Sequence, residues 1–124
     1  MVAQGFAEEE TPSEIQFRFL QLSDTTETGT NIVFTVDNLP VYTRIGIAYS
    51  SSSTTPTFNS NHIEATLGEG SFSLNTPITY GNSNLKYVRF FLDPSSGGGG
   101  ETDRIYSETY KLTYSEGVAD FSLL

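Results

Sequence analysis

Cysteine is absent from this sequence. No disulfide can hold the fold, and thiolate metal sites are excluded; the redox compartment stays open. Tryptophan is also absent, and there is a single histidine, His62. Without a second histidine there is no imidazole cluster for zinc or copper, and any Ser–His–Asp triad would have to run through His62. Basic residues are scarce, with six Lys and Arg against fifteen Asp and Glu, for a net charge of −9. That balance repels a phosphate backbone and argues against nucleic-acid binding, while favouring solubility. No run approaches the roughly 20 apolar residues of a membrane span. No segment of ten or more residues has helical periodicity. The first residues lack a basic n-region and an apolar h-region, so no secretory signal is expected in them.

Aromatic residues are plentiful, with nine Phe and seven Tyr. Each ring buries roughly 150–250 Å², enough in total to anchor one core in a chain of this size. Apolar residues recur with a period of two, the pattern of half-buried strands. Segment 14–23 sets Ile15, Phe17, Phe19 and Gln21 on one face and Leu20 and Leu22 on the other. Segment 31–39 points Ile32, Phe34 and Val36 inward, and 44–50 does the same with Ile45, Ile47 and Tyr49. Shorter segments carry Ile63 and Ala65 (62–67) and Phe72 and Leu74 (71–74). Segment 85–92 is apolar on both faces, Val88, Phe90 and Leu92 on one and Leu85, Tyr87 and Phe91 on the other. A central strand, or one covered from outside by a partner, reads this way. Segment 105–114 puts Tyr106, Glu108, Tyr110, Leu112 and Tyr114 on one face, and 117–124 adds Val118, Phe121, Leu123 and Leu124. The connections are rich in Gly, Ser, Thr, Asn and Pro. The expectation is an all-β antiparallel sandwich of about seven to nine strands. It comprises one domain over 14–124, preceded by an acidic arm at 1–13 that contains Phe6.

Several stretches carry a resemblance. Ile45-Gly46-Ile47-Ala48-Tyr49-Ser50, then Thr55-Pro56-Thr57, then Gly68-Glu69-Gly70-Ser71-Phe72-Ser73-Leu74 occur in order. Leu85-Lys86-Tyr87-Val88-Arg89-Phe90-Phe91 and Tyr106-Ser107-Glu108-Thr109-Tyr110-Lys111-Leu112 follow. Over residues 31–114 the chain resembles the fibronectin type III-like, immunoglobulin-like modules of Bacteroidota surface proteins and of phage virion decoration proteins. The absence of cysteine sets it apart from the disulfide-pinned antibody type. Two departures stand out. Lys86 takes the place of the first tyrosine of the family's Tyr-Tyr-Val strand, leaving Tyr80 or Tyr87 to serve as the corner tyrosine. The loop before the last strand is enlarged by four consecutive glycines at 97–100. The resemblance implies a module that binds or spaces, and no chemistry.

No cofactor is expected. The one metal candidate is calcium, for which Asp93, Glu101 and Asp103 around the glycine loop could supply oxygen ligands, although their spacing matches no EF-hand. Solvated charges are the plainer reading. The glycines themselves lack the Gly-Lys-Ser/Thr sequel of a phosphate loop. Carboxylate pairs for glycoside hydrolysis are inevitable by chance among fifteen acidic residues, and none stands in a recognisable setting. The tail is the more telling feature. It closes on Phe121-Ser122-Leu123-Leu124, either packed on its own domain or, through strand addition, on another chain. Phe6, Phe121, Leu123 and Leu124 are therefore the expected partner-binding residues. The function expected is structural: a virion component decorating a capsid lattice, contacting the major capsid protein or copies of itself. The alternative is an adhesion or spacer module at a bacterial surface, where a host-surface glycan becomes a further binding partner.

Overall fold

In a computed structural model, residues 15–26, 28–59, 61–76, 86–95, 104–115 and 118–124 are described. The expected arm with Phe6, Tyr80, Leu85, the glycines 97–100, Glu101 and Asp103 lie outside them.

Among the described residues, nine strands form two antiparallel sheets: β1 (Gln16–Ser23), β2 (Thr30–Asp37), β3 (Tyr42–Ser50), β4 (His62–Glu64), β5 (Thr66–Leu67), β6 (Phe72–Thr76), β7 (Tyr87–Pro94), β8 (Ile105–Ser115) and β9 (Val118–Leu123). One sheet has the order β1-β2-β6-β5 and the other β4-β3-β7-β8-β9. This is the all-β sandwich read from the alternation, and it is compatible with an immunoglobulin-like module. Among the described residues there is no helix long and apolar enough to cross a membrane.

The core lies between the sheets, and aromatic rings fill its centre. Phe90 of β7 is fully buried and meets Phe34 at 4.4 Å, Phe17 at 5.8 Å and Phe121 at 6.1 Å between ring centroids. Phe34 in turn stacks on Phe72 at 5.4 Å. These separations fall in the range where aromatic pairs add to simple area burial. The inward sets predicted for β2, β3 and β6 are the ones buried or packed on this cluster.

Three expectations need correction, each because the chain leaves the simple alternation. In β1 the register with β2 shifts between Phe19 and Gln21. The extra residue of a bulge reverses the faces beyond it, so Gln21 is exposed and Leu22 packs on the core instead. In β8 a shift opposite Arg89 and Phe91 has the same effect. Tyr106 therefore does not share a face with Tyr110 and Leu112 but pairs with Phe91 on the outer surface. The side chain of Ser107 repairs the ladder there: its hydroxyl accepts a hydrogen bond from the Phe90 amide at 2.9 Å. Segment 62–67 is not one strand. The chain crosses between sheets at Ala65, leaving β4 paired with β3 and β5 paired with β6.

Candidate functional site

Two regions gather the side chains that could act: the outer face of β7 with the β3–β4 connection laid over it, and the open side of the sandwich at β9.

On the outer face, Phe91 is fully buried although it points away from the core. Its cover comes from the same chain. Phe58 meets it edge-on at 5.3 Å, and His62 at 6.0 Å. His62 lies flat on Phe58, 3.7 Å between centroids, with Nδ1 3.2 Å from the Phe58 carbonyl oxygen. The Arg104 guanidinium sits 4.2 Å from the Phe58 ring centre and that of Arg44 sits 5.2 Å away, both within cation–π range. The connection is fastened along its length. Arg89 donates from Nε and Nη2 to the Pro56 carbonyl at 2.9 and 2.6 Å, while its guanidinium covers the Tyr106 ring at 3.9 Å. The Tyr106 hydroxyl accepts from the Phe58 amide at 2.9 Å, and Thr109 Oγ1 donates to the Thr54 carbonyl. His62 is thus engaged as a stacking partner. The reading of 85–92 as central strand is the one the fold adopts.

Asp93 has a different role from the one calcium would give it. Arg104 Nε lies 2.6 Å from its Oδ1 and Arg104 Nη2 lies 3.4 Å from its Oδ2, and both side chains are buried. Both carboxylate oxygens are turned to a guanidinium, so Asp93 is a counter-ion and is not displayed to solvent as a ligand. Burial works against the charge of Arg104, but the hydrogen bonds and negative charge of Asp93, with Tyr106, outweigh it and hold the guanidinium above its ordinary range. Among the described residues no three His, Asp or Glu side chains gather as a metal site.

The open side of the sandwich is built by the tail. β9 pairs with β8 in unbroken register, from Ser115↔Val118 to Tyr110↔Leu123, and the Leu124 amide extends the ladder by donating to the Thr109 carbonyl at 2.9 Å. The structure divides the apolar tail residues. Phe121 is 7% exposed and belongs to the core, where it stacks on Tyr110 at 4.9 Å and meets Phe19 at 4.6 Å. Phe121 is therefore corrected from partner-binding to core, because it lies opposite Leu112 on the inner face. Val118, Leu123 and Leu124 remain 66%, 56% and 61% exposed. Leu123 borders a groove of about 340 Å³ at the mouth of the sandwich, with Ile15 and Phe17 across from it and Tyr106, Glu108 and Tyr110 along its wall. Burial, with the nearby charge of Glu108, pushes the Tyr110 phenol above its ordinary range. Val118 is fractionally more exposed than either leucine, and it stands at the start of β9, where the sequence alternation alone does not single it out.

In comparisons with known proteins, no family model, no curated protein and no solved structure matches this chain. The class that the fold defines is a two-sheet antiparallel β-sandwich module.

Proposed function

We propose that this chain is a non-enzymatic assembly module, an auxiliary protein that decorates a capsid lattice and is held there through the β9 side of its sandwich. The observation that carries this reading is the arrangement of the tail. One aromatic, Phe121, is fixed in the core, while Val118, Leu123 and Leu124 leave apolar side chains in solvent on a strand with no described neighbour beyond it. An edge of this kind accepts an added strand, in which main-chain hydrogen bonds supply affinity and alternate side chains supply specificity. Single contacts of this size are weak, and a lattice multiplies them. The likeness of residues 31–114 to fibronectin type III-like modules supports the same class of function, since such modules bind and space.

The test is a density gradient of material from the natural source, probed for this protein. It is expected to travel with nuclease-resistant particles that contain DNA, and the L123S/L124S variant is expected to leave those particles while remaining folded. Recovery of the wild-type chain only as free protein would overturn the proposal. Recovery in the cell-envelope fraction would replace it with the surface-module reading, and glycan binding would then be measured at the hydroxyl-rich residues 51–55, all of them exposed.

A further inference from the structure

The two sheets have four edges among the described residues: β1 and β5 in one, β4 and β9 in the other. Exposed edges invite pairing with other chains, and proteins blunt them by shortness, bulges, charge or proline. Three of the four edges here are blunted. β4 has three residues and β5 has two. β1 is interrupted by its bulge and carries Arg18, ion-paired to Asp37. β9 has six residues in unbroken register, with no proline, no lysine or arginine, and Asp120 as its one charge.

The ladder dictates what β9 offers. The Leu124 amide bonds to β8, and in an antiparallel pair successive residues alternate between the two neighbours. Val118, Asp120, Ser122 and Leu124 therefore direct their main-chain groups to β8, and Ala119, Phe121 and Leu123 direct theirs outward. We propose that this outward row pairs with the same row of a second copy of the chain, antiparallel about a two-fold axis at Phe121, so that two five-stranded sheets become one. The inference rests on the assembly reading above and names one partner in it.

The register follows from the side chains. With the axis at Phe121, Val118 lies opposite Leu124 of the second copy, and this contact occurs twice. The two apolar residues left most exposed on this strand thus cover each other. Ala119 lies opposite Leu123, small against large, and Asp120 lies opposite Ser122. Shifting the axis to Asp120 would set the two Asp120 carboxylates face to face, which is destabilising. Shifting it to Ser122 would set Asp120 against Leu124 of the second copy, a carboxylate against an apolar side chain. Of these three registers, only the one centred on Phe121 keeps Asp120 away from both a like charge and an apolar partner, and this self-complementarity is what a two-fold interface requires. Each copy carries −9, so pairing strengthens as salt screens the repulsion. A basic partner on the same edge would respond in the opposite sense.

Because the chain has no cysteine, the V118C/L124C variant tests the pairing without background. The two positions are roughly 20 Å apart along one strand at about 3.3 Å per residue, so they cannot join within a chain. In the proposed dimer they form a non-hydrogen-bonded pair with Cα atoms about 4.5 Å apart, inside the span of a disulfide. Mild oxidation is expected to give a covalent dimer at least tenfold faster than for D120C, whose cysteines would lie diagonally across the interface. Equal rates for the two variants, or no cross-link in a folded V118C/L124C protein, would overturn the proposal. In sedimentation equilibrium, the 13.6 kDa chain is expected to shift toward twice its mass as salt rises. A119P removes an outward N–H and no bond to β8, so it is expected to stay monomeric; persistence of the dimer in folded A119P would also overturn the pairing. If A119P does not fold, the cross-linking pair decides alone. Particles that carry the protein without the cross-link would sink the self-pairing and leave the proposed function standing, whereas a cross-linked dimer absent from particles would do the reverse.

Discussion

Arg104 holds Asp93 in a buried ion pair, 2.6 Å from Nε to Oδ1, while its guanidinium covers the ring of Phe58. One side chain thereby neutralises a buried carboxylate on the outer face and fastens the β3–β4 connection. Removing one member of such a pair strands the other charge in a low-dielectric site, at about 3–5 kcal/mol. R104M is expected to lose stability on that scale in urea denaturation. D93L/R104M, which removes both charges, is expected to recover most of it. A double variant as unstable as the single would show that the lost cation–π contact dominates.

The same connection depends on Tyr106, whose hydroxyl accepts from the Phe58 amide. Y106F keeps the ring under Arg89 and deletes that acceptor. The expected cost is about 1–3 kcal/mol, because the Phe58 amide and the Arg104 guanidinium both lose the hydroxyl, with faster proteolytic cleavage within residues 51–59. R89M is expected to expose the connection further, because two bonds to the Pro56 carbonyl are lost together. Cleavage rates matching the wild type in both variants would mean that the aromatic stack alone secures the loop.

Gly46 sits on β3 directly opposite Glu64 of the neighbouring strand β4. A Cβ built there would lie 2.0 Å from the Ile63 carbonyl oxygen and 2.8 Å from the Glu64 Cα. Both obstacles are backbone, so no rotamer change relieves them. G46A is expected to detach β4 from β3 and to cost more than about 3 kcal/mol, beyond the usual range for a point substitution. A thermal melt compared with that of G68A, where the nearest atom is 3.6 Å away, separates the steric effect from a general cost of replacing glycine.

Tyr110 gives the protein an alkaline limit. Its phenol is raised in the folded state by burial and by Glu108, so the folded chain holds this proton more tightly than the unfolded chain, whose tyrosines titrate near about 10. The contribution is complete below that pH and is lost as pH rises through the folded value. Stability measured by denaturation is expected to fall above pH 10 in the wild type and to fall less in Y110F. Parallel curves for the two proteins would assign the alkaline loss to other groups.

Much of the fold was legible in the sequence because two-residue periodicity survives wherever a strand is regular. Ile32, Phe34, Ile45, Ile47, Phe72, Leu74, Val88, Phe90 and Leu92 all occupy the inner positions that the alternation assigned. It failed where a single extra residue changes the phase. Nothing local marks Leu20 as a bulge, and Ser107 reveals itself only through its hydroxyl standing in for a main-chain acceptor. The two apolar faces of 85–92 were visible, and a central strand was one of the two readings offered. What covers Phe91 was not legible, because Phe58, His62, Arg44 and Arg104 come from separate segments whose meeting depends on the topology. The tail was half legible: alternation could separate Phe121 from Ser122, but only the ladder with β8 shows that Leu123 stands at the groove and Phe121 in the core.

The cover over Phe91 has a kinetic consequence. β7 has β3 on one side and β8 on the other, the aromatic core beneath it and the strapped connection above. No small opening motion brings water to the amides of Phe90, Phe91 and Leu92. Their hydrogens are expected to exchange with deuterium only through whole-molecule unfolding, which makes these three amides an internal gauge of global stability. The amides of β4, at the margin of the same sheet, would exchange through local fraying and report on their own edge.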